Sequence, residues 1–177
     1  TLDIPNVHLW DGVKDPYLYT TTLRLVENGT AVDQISSRFG VRTFRVDPKE
    51  GFFLNGRRYP LHGVSRHQDQ KGLGNALTKA HHDEDMDLIR EIGANTIRLA
   101  HYQHNQYFYD LCDQYGMIVW AEIPYISEHM PNGRDNTISQ MKELIIQNYN
   151  HPSIVTWGLS NEITTSTKDK ADMLDNH

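Results

Sequence analysis

The sequence predicts an α/β fold, in which about four β-α units of a (β/α)8 barrel follow the last strands of a β-sandwich. Short alternating strands joined by hairpin turns account for residues 1–45. From residue 46 onward, strands alternate with amphipathic helices, which is typical of a parallel sheet with helical crossovers. Residues 46–177 are about half of the roughly 250 residues that an eight-stranded barrel needs.

The first 45 residues predict antiparallel β structure. Residues 19–25 alternate between apolar or aromatic and polar side chains, the period of a half-buried strand. Asn28-Gly29 supplies the two positive-φ residues of a tight hairpin turn, and a second extended run covers residues 39–46. Two or three strands cannot enclose a core, so we expect the end of a sandwich domain, bounded by the turn-rich residues 47–51.

The next segment predicts a second hairpin that leads into the first barrel strand. Asn55-Gly56 is a hairpin turn between residues 52–54 and 57–59. The second of these strands is expected to continue through Leu61 to Val64.

Three amphipathic helices are then predicted, each followed by a strand. The first covers Asp83–Ile92, with Met86, Ile89 and Ile92 on one face, and ends at Gly93. The other two present an apolar face formed by Tyr107, Phe108, Leu111, Cys112 and Tyr115 before Gly116, and by Ile138, Met141, Leu144 and Ile145. The strands that follow the helices are expected at residues 94–100, at residues 117–122 and from Ile154. A self-contained open four-stranded sheet fits this count too, but it does not account for the incomplete β segment in front.

Composition limits the class of protein. With 38% hydrophobic and 23% charged residues the chain is typical of a soluble globular protein. A net charge of −6 argues against a nucleic-acid or anionic-membrane partner, and no apolar stretch approaches the roughly 20 residues of a membrane-spanning helix. Cys112 is the single cysteine, which excludes intrachain disulfides and predicts a buried, unreactive thiol. One cysteine suits a cytoplasmic protein, and no targeting signal is visible.

Polar side chains follow every predicted barrel strand. Arg66 and His67 come after the first strand, Arg98 and His101 come from the second, Glu122 ends the third, and Asn161-Glu162 ends the fourth. The carboxyl ends of barrel strands meet at one face, where barrel enzymes carry their chemistry. A carboxylic acid held there beside hydrophobic residues can have a raised pKa and act as a proton donor. The alternative is a structural role, in which Glu162 caps the next helix or forms an ion pair with a basic residue.

Other chemistries are less well supported by the sequence. His67, His101, Glu122 and Glu162 could ligate a divalent ion, but no His-x-x-x-His pair lies on a helix, and His81-His82 opens a helix where solvated side chains are expected. Gly72-Leu73-Gly74 lacks the Lys-Ser/Thr of a phosphate-binding loop. Ser65 and Ser160 lack a nucleophile-elbow context.

Several ordered motifs resemble glycoside hydrolase family 2, the family of β-galactosidases, β-glucuronidases and β-mannosidases. The barrel motifs are residues 61–67 (LHGVSRH), 93–98 (GANTIR) with His101-Tyr102, 111–116 (LCDQYG), 150–154 (NHPSI), Trp157 and 160–162 (SNE). Trp10, residues 16–19 (PYLY) and residues 39–42 (FGVR) are similar to the end of that family's immunoglobulin-like domain. The resemblance therefore covers nearly the whole chain.

The resemblance implies a retaining β-glycosidase on a TIM barrel, with a β-galactoside as the expected substrate. Glu162 matches the general acid/base, and Asn161 matches the residue that hydrogen-bonds the sugar 2-hydroxyl. His67 and His101 match sugar-contacting histidines, and Arg98 matches the arginine that supports the nucleophile. The nucleophile itself is a Glu on a later strand, which the sequence does not reach, so we expect these 177 residues alone to be inactive.

Cofactors, partners and one alternative function complete the expectations. Magnesium-dependent relatives carry a Glu and a His after the third strand, but Glu128-His129 have a different spacing here, so no metal or other cofactor is expected. The expected partner is a β-galactoside or related carbohydrate, and a homo-oligomer remains open. The alternative is a non-catalytic carbohydrate-binding module that binds a sugar by stacking and hydrogen bonds, with Trp120, Trp157, His67 and His101 as the contacts. A β-glucuronidase or β-mannosidase is the alternative within the family.

Overall fold

The computed structural model describes residues 3–163 together with residues 170, 171 and 173. A short 3-10 turn, Gly12–Lys14, precedes the regular elements. In chain order these are β1 (Tyr19–Glu27), β2 (Thr30–Phe39), β3 (Phe44–Asp47), β4 (Gly51–Leu54), β5 (Arg57–Arg58), β6 (Gly63–Arg66), α1 (Lys79–Glu91), β7 (Thr96–Leu99), α2 (Gln106–Tyr115), β8 (Ile118–Glu122), α3 (Arg134–Asn148) and β9 (Ile154–Gly158).

Strands β1 and β2 form the predicted antiparallel hairpin. Asn28 and Gly29 have φ angles of 49° and 81°, as a tight hairpin turn requires. The alternating face that pairs Leu23 with Ile35 is exposed rather than half buried, with Leu23 65% and Ile35 67% accessible. In a β-sandwich such an apolar face packs against a second sheet, and among the described residues no other strand pairs with β1 or β2.

The extended run predicted over residues 39–46 is interrupted: Phe39 ends β2, residues 44–46 belong to β3, and residues 40–43 pair with no strand. The backbone between them crosses to the barrel. A Cβ on Gly40 would lie 2.7 Å from a ring carbon of Pro152. Arg42 donates to the carbonyl oxygens of Pro152 (2.9 Å) and Ile154 (2.7 Å). These contacts to the start of β9 take the place of a strand partner, so the segment leaves the sheet.

Strands β3, β4 and β5 form a three-stranded antiparallel sheet below the barrel. The hairpin turn at Asn55-Gly56 is confirmed, with φ angles of 49° and 76°. The predicted continuation of β5 through Leu61 is wrong: β5 stops at Arg58 and β6 begins at Gly63, because Pro60 has no N–H to donate to a ladder. The predicted domain boundary after residue 45 falls within β3 and stays a prediction.

The four strands β6, β7, β8 and β9 form one parallel sheet in sequential order. Helix α1 connects β6 to β7, α2 connects β7 to β8, and α3 connects β8 to β9. Sequential parallel pairing with a helix in every crossover is the arrangement of half of a (β/α)8 barrel. The predicted fold class is therefore confirmed.

Helices α1 and α2 end at the glycines that the sequence predicts, whereas α1 begins at Lys79, four residues before the predicted start at Asp83. Gly116, in the left-handed conformation at φ 75°, ends α2, and Gly93 at φ 76° follows the C-cap of α1. Met86 and Ile89 are buried as predicted, but Ile92 is 68% exposed because it is the C-cap residue, outside the regular turns. Cys112 is fully buried as expected, and burial raises the pKa of its thiol.

Two apolar clusters hold the barrel segment together. The larger lies between the sheet and the helices, with Ile97, Leu99, Phe108 and Val119 at its centre. The smaller one closes the lower end of the sheet and consists of Trp10, Phe52, Leu54 and Ile118. In the described part of the chain, none of the helices combines the length and apolarity needed to cross a membrane.

Candidate active site at the carboxyl ends of the barrel strands

The register of the parallel sheet decides which side chains face the barrel interior. Arg98 pairs with Trp120, and Glu122 pairs with Gly158 two residues further along β8. Side chains at paired positions share a face of the sheet, and residues two apart on one strand share it too. Arg98, Trp120 and Glu122 therefore project to the same interior face, with Glu122 nearest the carboxyl end.

Arg98 is the centre of the site. Its Nε–H donates to Glu122 Oε1, and its Nη2–H donates to Asn161 Oδ1 at 2.9 Å. The guanidinium also lies over the ring of Trp120, with 4.8 Å from Cζ to the ring centroid. A planar cation with donors on two edges and an aromatic ring against its face has a fixed orientation. Arg98 thus joins the ends of β7 and β8 to Asn161, which lies three residues after the end of β9.

His101 meets the other oxygen of Glu122. Its Nδ1 lies 2.9 Å from Oε2 of this carboxylate, which can only accept, so Nδ1 carries the proton. The peptide bond between Ala100 and His101 is cis. The ring of His67 packs edge-on against that of His101, at 5.2 Å between centroids. His67 is exposed, so the two histidines present polar edges at the top of the barrel.

Asn161 and Glu162 sit on a segment fixed from both sides. The backbone N–H of Asn161 donates to Tyr125 O (2.9 Å), and its carbonyl accepts from Ser127 N–H (3.0 Å). Ile163, next to Glu162, is 2% exposed within the main core. Between these anchors Glu162 is exposed and has a φ of 57°, a left-handed conformation that is uncommon for residues other than glycine.

Arg66 does not join the predicted group of polar strand ends, which is a correction. It pairs with buried Leu99, faces the helices and is 5% exposed. Its guanidinium donates to Asp85 Oδ2 (2.6 and 2.8 Å) and to the Nδ1 atoms of His82 (2.9 Å) and His104 (3.1 Å). A strand-end position predicts a charged residue near the site, but only the register decides between the interior face and the helix face.

His82 and His104 are consequently buried neutral acceptors. His82 is 1% exposed, so the expectation that His81-His82 are both solvated is wrong for His82. Burial, with the charge of Arg66 as a smaller cause, lowers the pKa of His104 to about 3, and the same two causes lower the pKa of His82. The Nε2–H of His104 donates to Ala100 O at 3.1 Å. This cluster fixes the start of the loop that carries His101.

The two tryptophans of the sugar-stacking alternative lie on opposite faces of the sheet. Trp120 pairs with Thr156, so Trp157, one residue further on, projects to the other side. There it packs against the main core between sheet and helices. Trp120 stays on the interior face, where Arg98 covers one face of its indole. A paired stacking platform of these two residues is therefore excluded.

The residues at this face do not fit a magnesium ion as they are placed. Both oxygens of Glu122 accept from Arg98 and His101, and a guanidinium in contact with a carboxylate opposes a second cation. Among the described residues, the one group of three acidic or histidine side chains with ligand spacing is Asp110, Asp113 and His151. The reaction that we propose for this site therefore uses no metal.

The Asp113–His151 pair belongs to the opposite end of the barrel. His151 Nδ1 lies 2.6 Å from Asp113 Oδ2, and Asp113 Oδ1 accepts from Ser153 N–H at 3.1 Å. The indole N–H of Trp10 donates to the carbonyl of Asp113 at 2.9 Å. Burial lowers the pKa of His151, but the hydrogen bond and charge of Asp113 outweigh it and raise the pKa. Polar pairs at this lower face contribute to stability rather than to chemistry.

Half of a (β/α)8 barrel therefore carries Arg, His, Asn and Glu side chains at the carboxyl ends of its strands, where barrel enzymes have their active sites. The family model "Glycosyl hydrolases family 2, TIM barrel domain" matches residues 45–177, and the model "Glycosyl hydrolases family 2" matches residues 1–42. The chain belongs to glycosyl hydrolases family 2. The family predicted from the sequence is thus confirmed.

Individual relatives agree with the family. A β-glucuronidase of Bacteroides fragilis is 46% identical in an alignment of 172 positions that covers 90% of this chain and 24% of that protein. A β-galactosidase of Bacteroides ovatus is 31% identical over 98% of this chain and 21% of its own length. The crystal structure of an FMN-binding β-glucuronidase from Facaelibacterium prausnitzii L2-6 superimposes with a TM-score of 0.92 at 50% identity, covering 98% of this chain and 27% of that one. The chain spans about a quarter of the length of the relatives it matches.

Among the predicted site residues, Arg98 and Asn161 are hydrogen-bonded to each other, His101 is joined to them through Glu122, and His67 packs on His101. Glu162 is adjacent to Asn161 in the chain. The sequence indicates Glu122 as one of the polar strand ends and as a candidate metal ligand, but it does not give Glu122 a partner. The sequence contains a signal for this partner. A carboxylate that ends a buried apolar strand needs a hydrogen-bond or charge partner, and Arg98 lies on the preceding strand.

Proposed function

We propose that the chain is part of a retaining β-glycosidase in which Glu162 is the general acid/base. The observation that carries the proposal is the hydrogen bond from Arg98 to Asn161 Oδ1. It fixes the residue next to Glu162 on a cation at the carboxyl ends of the barrel strands, where barrel enzymes bind substrate. The left-handed backbone of Glu162 is a further sign of a functional position.

In the first step Glu162 donates its proton to the glycosidic oxygen while a second carboxylate attacks the anomeric carbon. Retention requires the two carboxyl groups to lie about 5–5.5 Å apart. The family resemblance places the second carboxylate on a later barrel strand. In the second step Glu162, now a carboxylate, takes a proton from water, which attacks the glycosyl–enzyme ester and releases the sugar with its original anomeric configuration.

The neighbouring side chains bind and orient the sugar in this proposal. Since Arg98 occupies the amide oxygen of Asn161, the amide NH2 group is the part that can donate to a sugar hydroxyl. His101 holds its proton on Nδ1 toward Glu122, which leaves Nε2 to accept from a hydroxyl. His67, packed edge-on against His101, extends the polar surface. Arg98 supplies positive charge for the attacking carboxylate.

The substrate within this class is a β-D-glycoside, and the relatives favour a glucuronide over the galactoside that the sequence resemblance predicted. The relative with 46% identity is named a β-glucuronidase, as is the solved structure with 50% identity, whereas the β-galactosidase of Bacteroides ovatus is 31% identical.

The test is hydrolysis of nitrophenyl β-glucuronide, β-galactoside and β-mannoside by the protein at its natural full length. We expect one of the three to be cleaved much faster than the others, with the β-anomer as the first product seen by proton NMR. An α-anomer as first product would contradict retention. If none of the three is cleaved, the proposed function is wrong.

A further inference from the structure

Glu122 is the most deeply buried ionisable side chain at the proposed site, at 1% exposure. An unpaired carboxylate at such depth is strongly unfavourable, because its charge has lost its hydration. Here both oxygens are used: Oε1 accepts from Arg98 and Oε2 from His101. Every described contact of the carboxylate is thus to a residue already assigned to the site.

Glycine at position 158 makes room for this carboxylate. Gly158 pairs with Glu122 across β8 and β9. A Cβ at position 158 would lie 2.5 Å from Glu122 Cγ and 2.4 Å from the indole nitrogen of Trp120, distances that would force both side chains to move. The close approach of Gly158 on β9 therefore limits where the Glu122 side chain can lie, in addition to its hydrogen bonds with Arg98 and His101.

We propose that Glu122 is a positioning residue that sets the orientation of Arg98 and the tautomer of His101 for the reaction. The inference rests on the proposed glycosidase function. Glu122 holds Arg98 by Nε, which turns the Nη2 edge toward Asn161. It holds the proton of His101 on Nδ1, which fixes Nε2 as the group facing a ligand. In this way the Glu122 carboxylate aligns Arg98 and His101 directly, and Asn161 through Arg98.

This role predicts a kinetic pattern different from that of an acid/base. Loss of Glu122 misorients the groups that bind the sugar ring and support the attacking carboxylate, and neither depends on the leaving group. A misplacement of about 1 Å costs on the order of 10²-fold in rate. We therefore expect Glu122→Gln to lower kcat by about 10²-fold equally for activated and unactivated aryl glycosides, with a smaller change in KM.

The decisive experiment is a double-mutant cycle with Arg98 in the full-length protein, using the best substrate of the wild type. If Glu122 acts through Arg98, Glu122→Gln in an Arg98→Gln background should lower kcat by less than about fivefold. The same change should raise the melting temperature of the Arg98→Gln protein, because it removes a buried charge that has lost its main partner. Because Glu122 also holds His101, a large additional loss that persists when His101→Gln is combined with Arg98→Gln would overturn the proposal.

Two further variants keep the test informative if Glu122→Gln is poorly folded. Gly158→Ala leaves all charges in place but displaces Glu122, so a leaving-group-independent loss of kcat is expected; wild-type kcat would overturn the proposal. Glu143→Gln is the matched control, since Glu143 is exposed on α3 and bonded to Ser139 there. A wild-type enzyme that cleaves no glycoside defeats the proposed function, whereas an active wild type with unimpaired Glu122 variants defeats only this inference.

Discussion

Arg98 has a geometry that no other cationic side chain can supply. Its guanidinium donates along one edge to Glu122 and from Nη2 to Asn161, while its face lies on Trp120. A lysine ammonium is a single point charge on a flexible stem and cannot hold a carboxylate and an amide at fixed angles while stacking on an indole. Arginine at this position therefore joins three strands rather than simply adding positive charge.

We accordingly expect Arg98→Lys in the full-length protein to fold but to lose activity by about 10²–10³-fold in kcat/KM. The charge is kept, so the loss reports orientation. The measurement is steady-state kinetics on the best aryl glycoside, with Arg90→Lys as the control, since Arg90 is an exposed residue of α1. Activity within a few-fold of wild type would show that charge alone suffices.

Two glycines, one at the end of α1 and one at the end of α2, have the same left-handed backbone conformation but different surroundings. Gly93 follows α1 with φ 76°, and Gly116 ends α2 with φ 75°. A Cβ at position 93 would meet nothing within 4 Å, whereas one at position 116 would lie 2.1 Å from the carbonyl oxygen of Gly12. The end of α2 is thus pressed against the 3-10 turn Gly12–Lys14.

Replacement of each glycine by alanine separates backbone strain from contact. Gly93→Ala should cost only the left-handed strain, about 1–2 kcal/mol, whereas Gly116→Ala adds a clash with backbone and should cost clearly more. Calorimetric melting temperatures of the two full-length variants provide the comparison. Equal shifts would mean that the turn at Gly12 moves aside freely.

The lower ends of α2 and β9 contain a pH-dependent contact. Because the folded pKa of His151 is raised above its unfolded value, the extra stability from its charge is fully present below about pH 6.5 and is lost as pH rises through the raised pKa. We expect hydrogen exchange in β9 to differ more between wild type and His151→Gln at about pH 6 than at about pH 9. His62→Gln is the control, and a difference that grows with pH would contradict the assignment.

Local patterns predicted these elements well and their exceptions poorly. Apolar spacing and terminal glycines located α1 and α2 to within a few residues, and Asn-Gly pairs located both hairpin turns. The break after Phe39 and the burial of Arg66 could not be predicted, because both depend on contacts with distant residues: Pro152 in one case, Asp85 and His104 in the other. The close packing of Glu122 against Gly158 likewise depends on the register between β8 and β9, which local sequence patterns do not show.

At the level of the complete chain, two regions with different burial are joined through a small set of contacts. The β1–β2 hairpin is largely exposed, while the half barrel has a continuous core. Trp10, fully buried, and Arg42 connect the N-terminal segment to the barrel through Asp113, Pro152 and Ile154. This attachment lies at the lower end of the barrel, and the proposed site lies at the upper end, so the two can be altered separately.

The central claim, that Glu162 is the acid/base of a retaining β-glycosidase, is tested most directly by leaving-group dependence in Glu162→Gln. Initial rates of the full-length variant would be measured on a series of aryl glycosides of the preferred sugar, against wild type and Glu143→Gln. Loss of a general acid costs about 10²–10⁴-fold where the leaving group needs a proton, so unactivated phenyl glycosides should lose that much and dinitrophenyl glycosides far less. Equal loss across the series, or no loss at all, would contradict the account.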